Sequence, residues 1–312
     1  MPALLVRRSQ CLQCSSRRGG GLRPGRHCAR LKAARSGGEH AGRSAIVSRR
    51  DFFILLLAGL APLFAPGCAH SARDNTLFQV STIDALLEGA YDGEYRVGAL
   101  TRNGDLGIGT FNALEGEMIV LDGEVYQARA DGQVLRMPRE ILTPFATVVP
   151  FEQDHTLSLE DCPDFAAFER RVDAALPSPN YFYAFRASGT FAHVRVRSVP
   201  RQEKPYPRLP DVVATQSVFD REEVRGTLLG FRCPAYSAGL NVPGYHLHFL
   251  SDDKTFGGHV LDFRVTNLRV AVDQISDFRV WLPENVAFGA TDLSVHKADD
   301  LHRVEKQTGT SR

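Results

Sequence analysis

Three histidines carry the strongest chemical signal in this sequence. His246 and His248 stand two residues apart in Gly244-Tyr245-His246-Leu247-His248-Phe249-Leu250, and His259 follows a polar stretch that ends in Gly257-Gly258. Alternate residues of a β-strand share a face. His246 and His248 therefore point one way, and Tyr245, Leu247 and Phe249 point to the core. The polar stretch reads as a hairpin connection, so His259 opens the returning strand beside the pair. Three imidazoles on adjoining strands suffice to hold Zn²⁺ and leave one coordination position open. A structural zinc site would normally add a fourth protein ligand. The one cysteine near in sequence, Cys233, precedes Pro234 and supplies no obvious thiolate. The plainer account is a polar strand face, since a lone histidine is usually a satisfied core or surface residue. A third histidine across a hairpin favours metal, because neutral imidazole is the commonest metal ligand. The spacing does not choose among Zn, Cu, Ni and Co. His155, His193, His296 and His302 lack paired spacing and read as surface residues.

The elements around these residues read as α+β, with mostly antiparallel and mixed sheets in two subdomains, a few helices, and the metal site on a β-hairpin of the C-terminal half. The spacing predicts a helix from Ser81-Thr82-Ile83-Asp84 to about Tyr91, with Ile83, Leu86, Leu87 and Ala90 on one face. Strands are predicted at Gly107–Phe111, Met118–Leu121 and Val125–Arg129, with Asp122-Gly123 and Asp131-Gly132 as turns, and at Thr147–Phe151. A second helix is predicted between Cys162 and Leu176, where Phe165, Phe168, Val172 and Leu176 recur at helical spacing. Pro177-Ser178-Pro179-Asn180 breaks the chain at an expected subdomain boundary. Beyond it, Tyr183–Ala187, Phe191–Val199, Val224–Phe231, Tyr245–Leu250, His259–Val272 and Ile275–Leu282 suit strands. A polar, helix-compatible tail starts at Pro283.

The 312 residues are 43% hydrophobic, enough for one sizeable core or two small packed ones. The net charge of +1 gives no global reason to expect a nucleic acid partner. Charge is uneven, however: residues 1–46 are rich in Arg, Gly and Ser and cannot bury enough surface to fold. Ser48-Arg49-Arg50-Asp51-Phe52-Phe53 and the apolar run Ile54–Phe64 resemble a twin-arginine signal peptide. Ala65-Pro66-Gly67-Cys68 resembles a lipoprotein processing site, with Cys68 as the lipidated residue and Pro66 as a departure from the usual pattern. Translation is expected to begin near Val47. The expected organisation is a basic leader (1–46), a signal peptide (47–68), a linker (69–75), an N-terminal α/β subdomain (76–180), a β-rich metal-binding subdomain (181–306) and a tail (307–312). That implies an exported bacterial protein, periplasmic or held at the membrane through Cys68. Six cysteines in this length form no disulfide framework. A Cys162–Cys233 bridge is left open by the spacing.

Wider stretches carry a family resemblance. Gly107-Ile108-Gly109-Thr110-Phe111-Asn112, Leu114 to Gln127, Val196-Arg197-Ser198-Val199-Pro200-Arg201-Gln202, Asn241 to Phe249 and Gly257-Gly258-His259-Val260-Leu261-Asp262 are similar to motifs of the acetolactate decarboxylases, in order, from about Leu77 to about Glu305. The resemblance implies conversion of 2-acetolactate to (R)-acetoin and CO₂, a zinc held by His246, His248 and His259, and a homodimer. It implies that Glu117, Arg197 and Glu305 complete the pocket and that Thr110 faces it. By pattern alone, Arg197 shares a strand face with His193 and Arg195 that reads as solvated, and Glu117 and Glu305 read as surface carboxylates.

The chemistry suits these residue types. Loss of CO₂ leaves an electron pair that the neighbouring ketone accepts, giving an enediolate. A divalent metal bound by the ketone and hydroxyl oxygens is a Lewis acid for that charge. Arg197 suits a forked contact with the substrate carboxylate. Glu117 and Glu305 suit proton handling and hydroxyl positioning. Two other classes compete: an exported metal- or ligand-binding lipoprotein of the same fold without turnover, and a cupin-like metalloenzyme. A cupin also opens its ligand set with H-x-H, but it would want a carboxylate soon after, and Asp252 and Asp253 fall in the turn.

Overall fold

The computed structural model describes residues 75–295 and 297–306. The leader, the signal peptide with Cys68, most of the linker, His296 and the tail from 307 lie outside the described residues. Strands β1 (Thr76–Val80), β2 (Tyr95–Arg96), β3 (Leu106–Thr110), β4 (Glu117–Leu121), β5 (Glu124–Ala128), β6 (Val134–Arg136), β7 (Leu142–Thr143) and β8 (Ala146–Val149) fill the N-terminal part. They are followed by β9 (His155–Cys162), β10 (Phe182–Ser198), β11 (Ser217–Cys233), β12 (Gly244–Ser251), β13 (Gly257–Ile275) and β14 (Asp277–Trp281). The helices are α1 (Ile83–Leu87), α2 (Val97–Leu100), α3 (Phe165–Ala175), α4 (Leu209–Val213), α5 (Val286–Ala290) and α6 (Ala298–Lys306). The architecture is the expected α+β, and the histidines sit on the hairpin formed by β12 and β13.

Two helix starts form where polar caps precede apolar spacing. The Thr82 hydroxyl accepts from the Ala85 amide at the start of α1, and the Asp164 carboxylate accepts from the Ala167 amide at the start of α3. The α1 helix ends at Leu87, earlier than its apolar spacing suggests, because Gly89 adopts φ +90° and turns the chain. Asp122 and Gly123 both have positive φ, as a two-residue hairpin turn between β4 and β5 requires. Strand β1 has no counterpart among the elements expected from the sequence. Four of its five residues are buried, so the alternation that marks a half-exposed strand is missing. Tyr183–Ala187 and Phe191–Val199, expected as two strands, form the single strand β10. Pairing with β11 runs straight through the interruption at Gly189, which faces Gly226.

A seven-stranded sheet has the order β14-β1-β8-β3-β4-β5-β6, so the last strand joins the first. A second sheet runs β10-β11-β12-β13-β9, and β10 also pairs with β13, which curves the sheet round on itself. One face of this second sheet packs on α3 through Phe168, Phe185, Phe191, Tyr245, Leu247 and Phe249. Its other face meets the first sheet in a shared apolar layer that includes Ile108, Ile119, Leu229, Phe231 and Leu250. The alternation of β4 sends Met118 and Val120 to the outer layer and Ile119 and Leu121 to the shared layer. Glu117 has the parity of Ile119, so it faces the second sheet. On β12, His246 and His248 have the parity of Leu250 and face the first. Cys162 and Cys233 are free and buried in different layers, so the bridge left open by their spacing is not formed.

Candidate active site

The polar residues collect at one end of the shared layer, where the two sheets are capped by α1, α4 and α6. Register places them in rows. Arg197 on β10 is paired with His259 on β13, and His259 is paired with His248 on β12. Across the layer, Thr110 on β3 is paired with Glu117 on β4. The imidazole ring centroids are 4.9, 5.3 and 5.5 Å apart. Nitrogen atoms of His246, His248 and His259 lie within 4.8 Å of one another, which makes them a group that can hold one metal ion.

Hydrogen bonding prepares one of these rings for a ligand. The Nδ1 of His248 lies 2.8 Å from the Met118 carbonyl oxygen; donation to that acceptor places the proton on Nδ1 and leaves Nε2 with a free lone pair. Among the described residues, His248 Nε2, His259 Nδ1 and Arg197 Nε are buried with no hydrogen-bond partner. Orphaned polar atoms are costly in a protein interior, and these three belong to one site. The donor set fits a divalent metal, with imidazole nitrogens as ligands and two carboxyls close by.

Those carboxyls are Glu117 and Glu305. Glu117 Oε2 is 3.6 Å from His248 Nε2, and Glu305 Oε2 is 3.6 Å from His259 Nε2, both too long for hydrogen bonds. Burial pushes the Glu117 carboxyl up to about 7, with Arg197 opposing and Glu305 adding to the rise. Burial lowers His246 to about 3, helped by Arg197. Burial also holds His248 and His259 well below the usual histidine range, and neighbouring imidazoles and Arg197 add to the effect. Neutral imidazoles are the form that binds metal. They also mean that the two His–Glu approaches are not contacts between a charged imidazole and a carboxylate.

Arg197, expected from its pattern on a solvated face, is buried at 4% exposure. The pattern identifies a face but not what covers it. His193 and Arg195 do lie near the surface beside Asp220, whereas Arg197 lies further along β10, beneath the capping helices. Glu117 and the Glu305 side chain are also largely buried, at 7% and 11%, contrary to the surface reading of both. Thr110 faces the site and donates its hydroxyl to the Gly116 carbonyl at 2.7 Å, which fixes the turn that leads into Glu117. The cavity bounded by Thr110, Glu117, Arg197, His246, His259 and Glu305 is about 40 Å³, and its remaining wall is apolar, from residues such as Leu114, Phe145 and Leu209. An apolar wall around few polar groups strengthens their fields. Sequence reasoning missed those wall residues and Val304. For Val304 the available signal is its i, i+3 spacing from Leu301 on an otherwise polar helix.

The profile of the alpha-acetolactate decarboxylase family matches residues 77–295. An alpha-acetolactate decarboxylase from Methanosarcina mazei is 50% identical over 241 residues, covering 77% of this chain and 83% of its own. One from Methylococcus capsulatus is 47% identical, covering 75% of this chain and 90% of its own. The crystal structure of alpha-acetolactate decarboxylase from Bacillus subtilis strain 168 superposes with a TM-score of 0.72 at 38% identity, covering 74% of this chain and all of that one. The family match spans nearly all of both sheets and the site residues up to His259, while Glu305 lies beyond its last matched residue; the chain belongs to the alpha-acetolactate decarboxylase family and is a decarboxylase.

Proposed function

We propose that this site converts 2-acetolactate to (R)-acetoin and CO₂ with a divalent metal, zinc, held by His246, His248 and His259. One observation carries the reading: buried, partnerless donor and ligand atoms of Arg197, His248 and His259 converge beside two buried carboxyls. A protein that only stores metal has no use for a buried arginine with an unused N–H. A cupin-like site is not favoured, since Asp252 and Asp253 are exposed in the turn between β12 and β13.

Arg197 receives the substrate carboxylate and orients the bond that breaks. That C–C bond cleaves, CO₂ departs, and its electron pair moves onto the neighbouring ketone to give an enediolate. The metal, when bound, supplies a Lewis acid for the charge on the ketone and hydroxyl oxygens. The apolar wall excludes water, which would otherwise protonate either face of the enediolate. Glu117 and Glu305 divide the remaining work of hydroxyl positioning and proton delivery to the carbon that lost CO₂. Glu117 is suited to hold a proton near neutral pH because burial has raised it. Delivery from one fixed side sets the configuration of acetoin.

The test is acetoin formation from racemic acetolactate, with product configuration and bound metal measured together. Metal-loaded protein should form (R)-acetoin, chelation should abolish it, and zinc should restore it. No acetoin from protein with a full metal complement would overturn the reading. Export, lipid attachment at Cys68 and a homodimer belong to the same proposal. Cell fractionation, mass spectrometry of the mature N-terminus and light scattering test them separately.

A further inference from the structure

Glu305 reaches the site from α6, a helix of nine residues. So short a helix is marginal by itself, so its placement must come from tertiary contacts. Leu301 and Val304 are buried against residues that include Leu86, Leu209 and Val213. Apolar contact is non-directional. It holds α6 against α1 and α4 but does not fix how far the helix slides or turns, and Glu305 is useful only if aimed at His259.

The direction comes from Arg208, the residue immediately before α4. Its Nε and Nη2 donate to Glu88 Oε1 at 3.1 and 2.6 Å, and Nη2 also donates to Asp300 Oδ2. Glu88 caps the C-terminal end of α1, and Asp300 lies in the first turn of α6. Lys297 Nζ, just ahead of α6, lies 3.3 Å from the same Glu88 oxygen. One guanidinium thus joins three helices at their ends, and a planar fork fixes angles that a point charge would not. The Asp300 side chain is 15% exposed and that of Arg208 43%, so the contact is shielded from solvent on the Asp300 side only. Arg208 does not line the metal cavity; its neighbour Leu209 does.

We propose that Arg208 is a positioning residue: by clamping Glu88 to Asp300 it sets α6 in register and holds Glu305 against His259. The inference rests on the proposed role of Glu305 in proton handling or hydroxyl positioning. Removing the fork should leave metal and substrate contacts intact while Glu305 loses its aim.

The experiment compares zinc-loaded full-length R208Q, R208K, D300N, E305Q and the R208Q/E305Q double variant. Turnover, KM, product configuration, metal content and melting temperature are measured for each. R208Q should lower kcat about tenfold, with KM and metal content within twofold and a reduced excess of (R)-acetoin. R208K should recover part of the loss. The double variant should be no slower than E305Q. D300N weakens the α6 end of the clamp together with the Asp300–Arg303 pair inside α6, so R303Q, which cuts only that inner pair and should turn over within twofold of the parent, is its control. D300N serves in place of R208Q if that variant does not fold, and it should show the same fall in kcat. If E305Q is slow while R208Q or D300N turns over within twofold of the parent, the inference fails and the role of Glu305 stands. If the R208Q and E305Q losses multiply, Arg208 acts by another route and the inference fails. If E305Q itself is near normal, the assigned role of Glu305 falls and the inference with it.

Discussion

Gly258 links the geometry of the site to its backbone. It has φ +151° and lies beside His259 at the point where β13 passes β10. A Cβ built there would sit 2.5 Å from the Arg197 carbonyl oxygen and 3.2 Å from Val196 Cβ. Since Cβ contacts below about 3 Å are repulsive, the G258A variant must part the two backbones by at least ~0.5 Å. The strands concerned carry Arg197 and His259, so the anchor for the carboxylate separates from a metal ligand. Displacement of a reacting group by up to ~1 Å costs on the order of 100-fold in rate, or ~2.7 kcal/mol of barrier. The disfavoured φ adds ~1–3 kcal/mol of strain in the folded state. A stability of ~5–15 kcal/mol leaves most of the variant folded. The G123A variant is the control: Gly123 also has positive φ, +75°, but a Cβ there meets nothing within 4 Å. G123A should lose stability and keep turnover. The assay is acetoin formation at saturating zinc, alongside thermal melts and metal analysis. If folded, metal-loaded G258A turned over within threefold of the parent, the reasoning that the β10–β13 approach sets the site would be refuted.

Other outcomes follow from the same geometry. H246A should lose bound metal and activity while keeping most of its secondary structure by circular dichroism, because its core neighbours Tyr245 and Leu247 hold β12 in place; retention of stoichiometric zinc would remove His246 from the ligand set. R197K should keep metal and lose most turnover, ~10²-fold or more, because an ammonium cannot reproduce the fork; near-normal kcat would end the carboxylate-orienting role. Asp273 accepts from the Asn75 side chain at 2.7 Å and the Glu152 amide at 3.1 Å, yet burial prevails and raises its carboxyl from 3.8 to about 6. The folded state thus binds this proton more tightly than the unfolded chain. Its contribution is fully present below about pH 4 and is lost as pH rises through about 6, by at most ~3 kcal/mol. Melts of the parent and D273N across pH 4 to 7 should differ by this slope, and parallel curves would show that Asp273 does not titrate as described.

Much of the site is legible in the order of the residues alone. The i, i+2 pair His246 and His248, the Gly-rich connection and His259 form a local pattern, and strand periodicity puts two imidazoles on one face with the third brought back beside them. The hairpin turn at Asp122-Gly123 and the helix caps at Thr82 and Asp164 are equally local, since they depend only on residues a few positions away. Strand β1 is not legible, because burial on both faces removes the alternation that announces a strand. The burial of Arg197, Glu117 and Glu305 is not legible from pattern either. Arg197 and Glu305 sit on elements whose sequence fits a solvated face, Glu117 stands among carboxylates near a turn, and only family resemblance singles the three out. Tertiary structure decides their environment: elements near positions 117, 197, 248 and 305 meet at one end of the layer between two sheets. Desolvation there raises Glu117, lowers the imidazoles and leaves Arg197 an unused donor. Burial is a property of what packs against a face, and residues a hundred positions away supply it. Local spacing along the chain thus picks out the residues able to bind metal, and the meeting of the two sheets with α6 makes them neutral imidazoles beside a buried arginine and two carboxyls.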